Sequence, residues 1–236
     1  MGPLLLLASG FALLIVAALV LRSFGPRLRV GRLLASTPRV SVGEACALAD
    51  SGGRRYVRVD GRLDSDDEFE DADHRPLVLR RTRFQAATGR RWDTFGERRE
   101  QVPFTLNEGL DSIVIDATSL DDGLVVVPRE SSGTALELPD APAGMSPETR
   151  VRVRIEQLSS VEHATALGVP VRTGDGVQLT SGLGRPLVVT TLETPEAMRV
   201  LADGRTLAPR LAAALIGTGM ILLLGGVLWL VVDRLA

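Results

Sequence analysis

Apolar residues follow two different regimes along this chain. Leu4–Leu21 and Leu211–Val232 are continuous apolar runs without a charged residue, whereas between them apolar and polar positions alternate over short stretches. At about 1.5 Å rise per residue, each run comes close to or exceeds the roughly 30 Å hydrocarbon thickness of a bilayer. Neither has a polar face, so neither reads as a surface helix of a soluble core. The pattern predicts two transmembrane helices with one polar domain between them, which puts both chain ends on the same side. The first run lacks a basic n-region and ends at Arg22 without a small-residue cleavage pattern, so an uncleaved anchor is expected.

The middle reads as mainly β. Ser41-Val42-Gly43-Glu44 is a Ser-x-x-Glu capping box, opening a short helix through Ala45–Asp50 that Gly52 and Gly53 stop. Tyr56–Leu63 then alternates like a half-buried strand. Further strands are expected at Leu77–Phe84, Val102–Leu106, Ser112–Asp116, Leu124–Val127, Val151–Leu158, Val169–Arg172, Val177–Thr180 and Leu187–Thr191. Short strands separated by Gly, Asp and Pro clusters indicate an antiparallel barrel or sandwich rather than a βαβ sheet. Residues 1–22 are thus read as the first span, 23–54 as a juxtamembrane linker with a short helix, 55–204 as the β-rich domain with a loop at 131–148, and 205–236 as the second span and tail. The expected fold is mainly β and barrel-like, with an oligonucleotide-binding-like (OB-like) barrel as its specific form, between two transmembrane α-helices.

Charge adds a direction. Arg22, Arg27, Arg29, Arg32 and Arg39 follow the first run, and Arg199, Arg205 and Arg210 precede the second, while only Arg234 follows it. The positive-inside rule then places the domain in the cytoplasm and the protein in the cell membrane as a two-span, multi-pass chain. The formal net charge of −2 gives no overall nucleic-acid footprint. One cysteine, Cys46, and two histidines, His74 and His163, leave no internal disulfide and no zinc ligand set.

Several segments together resemble a known module. They are Val57–Leu63, Arg75–Phe84 followed by Trp92, Val102–Gly109, Ile113–Asp116, Ile155–Leu158 and Arg185–Val189. With the two flanking apolar runs, they resemble the GIDE, or "beside a membrane", domain family of mitochondrial RING-type ubiquitin ligases. The resemblance implies a β-rich module held against a bilayer. The ligase members carry a zinc-binding RING after the second span, whereas Asp233-Arg234-Leu235-Ala236 follow it here. The expectation is therefore a RING-less relative without ligase chemistry of its own. In those relatives the domain faces the intermembrane space, against the cytoplasmic placement that the arginines favour.

Other motifs carry less. The acidic run Asp64–Asp73 fails the EF-hand pattern, with Phe69 and Arg75 where Gly and Glu are required, and reads as a solvated loop. Gly174-Asp175-Gly176 and Gly182-Leu183-Gly184 precede strand-like residues and read as tight turns, not phosphate cradles. His163 beside Glu162 and His74 beside Asp73 lack a nucleophile in pattern, so no catalytic, metal or cofactor-binding residue is assigned. Ala8-x-x-x-Ala12, Ala213-x-x-x-Gly217 and Gly225-Gly226 offer small faces for helix packing or oligomerisation.

One surface remains as a candidate. Arg80, Arg81, Arg83, Arg90, Arg91 and Trp92 interleave basic and aromatic side chains on one strand and its turn. Alternation predicts a wet arginine face over an apolar one, suited to an acidic protein or anionic lipid rather than nucleic acid. The expected function is a membrane-surface interaction or scaffold domain, non-enzymatic, whose partners are membrane lipids and other membrane or membrane-proximal proteins. The alternatives are an accessory subunit of a membrane protease or quality-control complex, and a membrane-tethered hydrolase.

Overall fold

The structure is a computed structural model that describes residues 2–23, 25–89, 91–121, 123–139, 141–174, 176–202 and 207–235. It divides into two compact units, Met1–Gly31 with Leu201–Ala236, and Arg32–Val200.

The first unit is a helix pair, α1 (Gly2–Ser23) with the much longer α5 (Leu207–Leu235). Among the described residues one helix, Leu211–Trp229 within α5, is long and apolar enough to cross a membrane by length and composition, and Leu5–Val20 within α1 is a shorter apolar helix. The expectation of two spans is thus matched for the second run, and for the first only in its apolar helical character. The pair runs antiparallel: a Cβ placed on Gly2 would meet the Trp229 ring at 3.3 Å, and one on Gly10 would meet Leu223 at 2.8 Å and the Gly219 carbonyl at 3.0 Å. The buried positions repeat every seven residues, Gly10 and Ala17 on α1, and Ala212, Gly219 and Gly226 on α5. A seven-residue stripe stays in line along two slightly supercoiled helices, and small residues let the backbones approach. The expected faces differ from this one. Ala8, Ala12, Ala213, Gly217 and Gly225 are exposed, because they lie off the seven-residue line; only Gly226 of the predicted residues joins the contact.

The stretch 23–54 is more helical than a linker. It holds α2 (Gly25–Ser36) and α3 (Val42–Asp50). The predicted capping box is present: Glu44 N donates to Ser41 Oγ at 3.1 Å and Ser41 N to Glu44 Oε2 at 2.9 Å. Glu108 adds a tertiary cap by accepting from Val42 N at 2.8 Å, and Val42, Ala45 and Ala49 enter the β domain's core.

That domain has curled, largely antiparallel sheets with the curl of a half-barrel. Its strands are β1 (Val57–Asp64), β2 (Phe69–Glu70), β3 (Pro76–Thr88), β4 (Arg91–Gln101), β5 (Thr105–Glu108), β6 (Asp111–Ile115), β7 (Leu124–Val125), β8 (Arg129–Thr134), β9 (Arg150–Ser159), β10 (His163–Thr173), β11 (Gly176–Thr180) and β12 (Val188–Thr190), followed by helix α4 (Thr194–Ala202). In the first sheet the pairings run β1-β5-β6-β11-β10 and return from β10 to β1. The β6–β11 contact is parallel and the other four are antiparallel. Val57, Val59, Leu63, Leu106, Ile113, Ile115, Ala166 and Leu179 share its core, as period-two alternation requires. Gly61 sits where β1 passes β5 so closely that a Cβ would lie 2.5 Å from the Asn107 carbonyl oxygen.

The second sheet is built from two excursions out of this ring. β2, β3 and β4 leave between β1 and β5, while β8 and β9 leave between β6 and β10; β3 pairs β9 from Leu77↔Ser159 to Ala86↔Val151. β4 and β8 had no apolar alternation to announce them. β8 falls at the start of the segment expected as a loop, and β3 runs four residues past its predicted end.

Asp116 stitches the parallel β6–β11 contact. Burial opposes its charge, but hydroxyl hydrogen bonds from Thr118 and Thr180, each 2.6 Å, and bonding from Ser119 hold its carboxyl below the usual range. A depressed carboxylate pKa contributes stability above the unfolded-state value, and that contribution is lost as pH falls through the folded-state value. Thr180→Val is therefore expected to cost about 1.5 kcal/mol at neutral pH, with the difference narrowing in acid as Asp116 protonates. Urea unfolding at pH 7 and at about pH 2.5 checks this; equal destabilisation at both would separate Thr180 from the Asp116 charge.

Candidate interaction surface

Strand register sorts the predicted arginines onto opposite faces of the second sheet. Arg81, Arg83, Gln85 and Ala87 of β3 lie on one face, opposite Arg99, Glu97, Thr94 and Trp92 of β4. On the other side of β3, Arg81, Arg83 and Gln85 oppose Glu156, Arg154 and Arg152 of β9. Arg80, Thr82, Phe84 and Ala86 lie on the reverse face with Ile155 and Val153.

The first face is a chain of guanidinium and carboxylate groups. At its buried end, Arg81 Nε donates to Glu156 Oε2 at 2.7 Å, and both side chains are at most 5% exposed. Arg81 Nη1 also donates to the Asp121 carbonyl, and Arg99 Nη2 to the Ala117 carbonyl. These bonds fasten the sheet to the connection between β6 and β7. Desolvation, followed by the nearby Arg81 charge, lowers the Arg99 pKa.

Moving outward, Glu156 Oε1 lies 3.3 Å from Arg154 Nε, and Glu156 Oε2 3.8 Å from Arg83 Nη1. Arg83 Nε donates to Glu97 at 3.0 Å, and Glu130 bridges Arg152 at 3.2 Å and Arg154 at 3.6 Å. At the far end Arg152 donates twice to Gln85 Oε1, at 2.7 and 3.0 Å, with its guanidinium 4.8 Å from the Trp92 ring centroid. Arg81, Arg83, Arg99, Arg152 and Arg154 outnumber Glu97, Glu130 and Glu156. Backbone carbonyls, the Gln85 oxygen and the Trp92 π-face, all electron-rich, take up the excess.

Of the six predicted residues, the structure therefore brings Arg81, Arg83 and Trp92 to one face. Arg80 is on the reverse, donating from Nε to Glu100 at 3.0 Å and lying 5.5 Å over the Phe69 ring. Arg91 is exposed at the end of that reverse face, and Arg90 lies outside the described residues. Arg81 departs most from the expected wet face: Glu156 brings a compensating charge into the interior, so the arginine follows it. Arg152, Arg154, Glu156, Glu97, Glu130 and Gln85 were missed. The alternation Arg150-x-Arg152-x-Arg154-x-Glu156 was the available signal for β9.

The remaining polar candidates are accounted for locally. His74, at φ +56°, pairs through Nδ1 with Glu70 at 2.7 Å, on the surface. His163 lines an open groove of about 440 Å³ with Arg39, Asp60, Arg62 and Asn107, where Asp60 is occupied by Arg39, Arg58 and Thr165. In the acidic loop Asp71 is buried, accepting from Asp73 N and Arg75 N at 2.9 and 3.0 Å, so one carboxylate of the expected solvated run serves as a turn cap. Among the described residues no group of three His, Cys, Asp or Glu side chains is placed to hold a metal ion. No protein-family profile, curated protein or solved structure matches this chain.

Removing one partner of a buried ion pair leaves the other uncompensated. Glu156→Gln is expected to destabilise the domain by about 3 kcal/mol, lowering Tm by roughly 6–12 °C for a domain of this size. Arg81→Met with Glu156→Leu, which removes both charges, is expected to recover most of that loss. Thermal unfolding of the three chains decides it. A double variant as unstable as Glu156→Gln would locate the loss in packing instead.

Proposed function

We propose that this chain is a two-span membrane protein presenting a non-catalytic interaction domain of the GIDE kind at the cytoplasmic membrane surface. The α1 helix, 22 residues long, measures about 33 Å at 1.5 Å per residue, which supports a second span beside Leu211–Trp229. Its antiparallel packing on α5 fits a membrane hairpin. The ring order β1-β5-β6-β11-β10-β1, with its one parallel contact between β6 and β11, supports an OB-like barrel for the membrane-proximal module.

The observation that carries the interaction reading is the Trp92–Arg152–Gln85 cluster at the free end of the second sheet. Trp and Arg are among the residues enriched at hot spots in protein interfaces, and here both are oriented before any partner arrives. Arg152 is fixed by two bonds to Gln85, so little side-chain entropy remains to be lost on docking. Exposed Arg91 and Arg150 at the same end favour an acidic membrane-proximal protein, with anionic lipid as the neighbouring surface. Arg81 and Arg83 serve this surface by holding β3 against β9 and β4.

Trp92→Ala with Arg152→Ala is expected to deplete a stoichiometric membrane-proximal partner at least tenfold from the full chain purified from native membranes, with Tm little changed. Absence of any stoichiometric partner from the unaltered chain would reject the reading. Topology is tested separately by Asp67→Cys in a Cys46→Ser background. Burial, then Asp111 and Asp50, raise the Cys46 thiol pKa, making it a slow reporter, whereas Asp67 is exposed. An impermeant maleimide is expected to label the new thiol only after lysis; labelling of intact cells would place the domain outside.

A further inference from the structure

The outer edge of β4 is open. β4 pairs only with β3, and among the described residues no other segment makes a backbone–backbone hydrogen bond to 91–101. Exposed edges ordinarily carry charges and bulges that block pairing with another chain. β4 has both: Arg91, Asp93, Glu97, Arg98, Arg99 and Glu100, and a bulge where Phe84↔Gly96 is followed by Gln85↔Thr94, leaving Phe95 as the extra residue.

These features are self-complementary. Before the bulge, Arg91 and Asp93 oppose Thr88 and Ala86; after it, Gly96, Arg98 and Glu100 oppose Phe84, Thr82 and Arg80. All five therefore share one face of the sheet, while Trp92, Thr94, Glu97 and Arg99 share the other. The extra residue has shifted the alternation by one. A two-fold axis perpendicular to the sheet preserves faces, and directly opposed residues must share a face. Across this bulge, that condition requires an axis between two residues instead of on one.

Placed between Phe95 and Gly96, the axis sets Arg91 opposite Glu100 of the second copy and Asp93 opposite its Arg98, each twice by symmetry. Thr94 then faces the second copy's Glu97. Sliding by two residues one way opposes Asp93 to Glu100, and the other way Arg91 to Arg98. Like charges reject both alternatives.

We propose that two copies of this chain associate through antiparallel β4–β4 pairing in this register, joining their second sheets into one continuous sheet. The proposal goes beyond partner recruitment, because it uses the backbone edge of β4 while the partner reading uses the Trp92 ring face.

The register is tested on the full chain in detergent, carrying Cys46→Ser. Thr94→Cys with Glu97→Cys puts two thiols on one face opposite Gln85 and Arg83, hence about 7 Å apart within one strand; that exceeds the roughly 4 Å between Cβ atoms that a disulfide spans, but the two are opposite each other across the axis. Mild oxidation of dilute protein is expected to give a covalent dimer. Either single substitution, or Trp92→Cys with Glu97→Cys, which corresponds to the shifted register, is expected to give no covalent dimer. Light scattering is expected to show a dimer of the otherwise unaltered Cys46→Ser chain, and Asp93→Arg to raise its dissociation constant roughly tenfold. A monomeric mass at every concentration, or equal cross-linking of the shifted pair, overturns the proposal. Neither result depends on whether Trp92→Ala with Arg152→Ala loses a partner.

Discussion

The second sheet depends on one buried contact, that between Arg81 and Glu156. Apolar burial on this face of the β3–β9 pair ends at Leu79 and Leu158, both within the main core. Beyond them an apolar row continues only on the reverse face, through Phe84, Val153 and Val151, and on this face charge must hold the register. Burying a carboxylate costs several kcal/mol unless paired and hydrogen-bonded, and Glu156 meets that condition only when Arg81, Arg83 and Arg154 surround it. Slipping β9 by one residue would turn Glu156 to the reverse face, away from all three cations. The ion pair specifies a register more than it adds net stability. Through it, two chain excursions from different connections of the ring become one sheet.

The helix pair obeys other physics. On the proposed two-span reading, no hydrophobic gain brings two apolar helices together within a bilayer, so close backbone approach must supply the attraction. Gly10 against Gly219, flanked by Ala17 and Ala212, provides that approach. Leu223 closes over Gly10 so tightly that any side chain there must displace it.

Much of the ring was legible because its residues bury one face against a common core. Tyr56–Leu63 and Ser112–Asp116 alternate, and Ser41 with Glu44 announces α3. In the second sheet β3 and β9 were expected at Leu77–Phe84 and Val151–Leu158, but β4 and β8 were not, because they carry charge instead of an apolar period. β4 reads Arg-Trp-Asp-Thr-Phe-Gly-Glu-Arg-Arg-Glu-Gln, with no apolar period to detect. Arg81 was assigned to solvent because its compensating carboxylate lies 75 residues away in sequence, and nothing local marks the pair. The helix contact was misplaced for a related reason: small residues four apart are conspicuous, but a seven-residue repeat of Gly and Ala is visible only once the partner helix is known. In each case the missed information was the identity of the opposite surface.

The same ionic chain limits what its arginines can bind. An incoming phosphate or carboxylate at Arg81 would have to displace Glu156 from a site already closed to water, and at Arg83 it would compete with Glu97. Competition falls toward the free end, where Arg152 is held by a neutral amide and an aromatic ring as well as by Glu130. An acidic side chain arriving there can share the guanidinium without expelling a buried charge. The cluster is basic along its whole length, but an acidic group meets least competition at the end where the carboxylates run out.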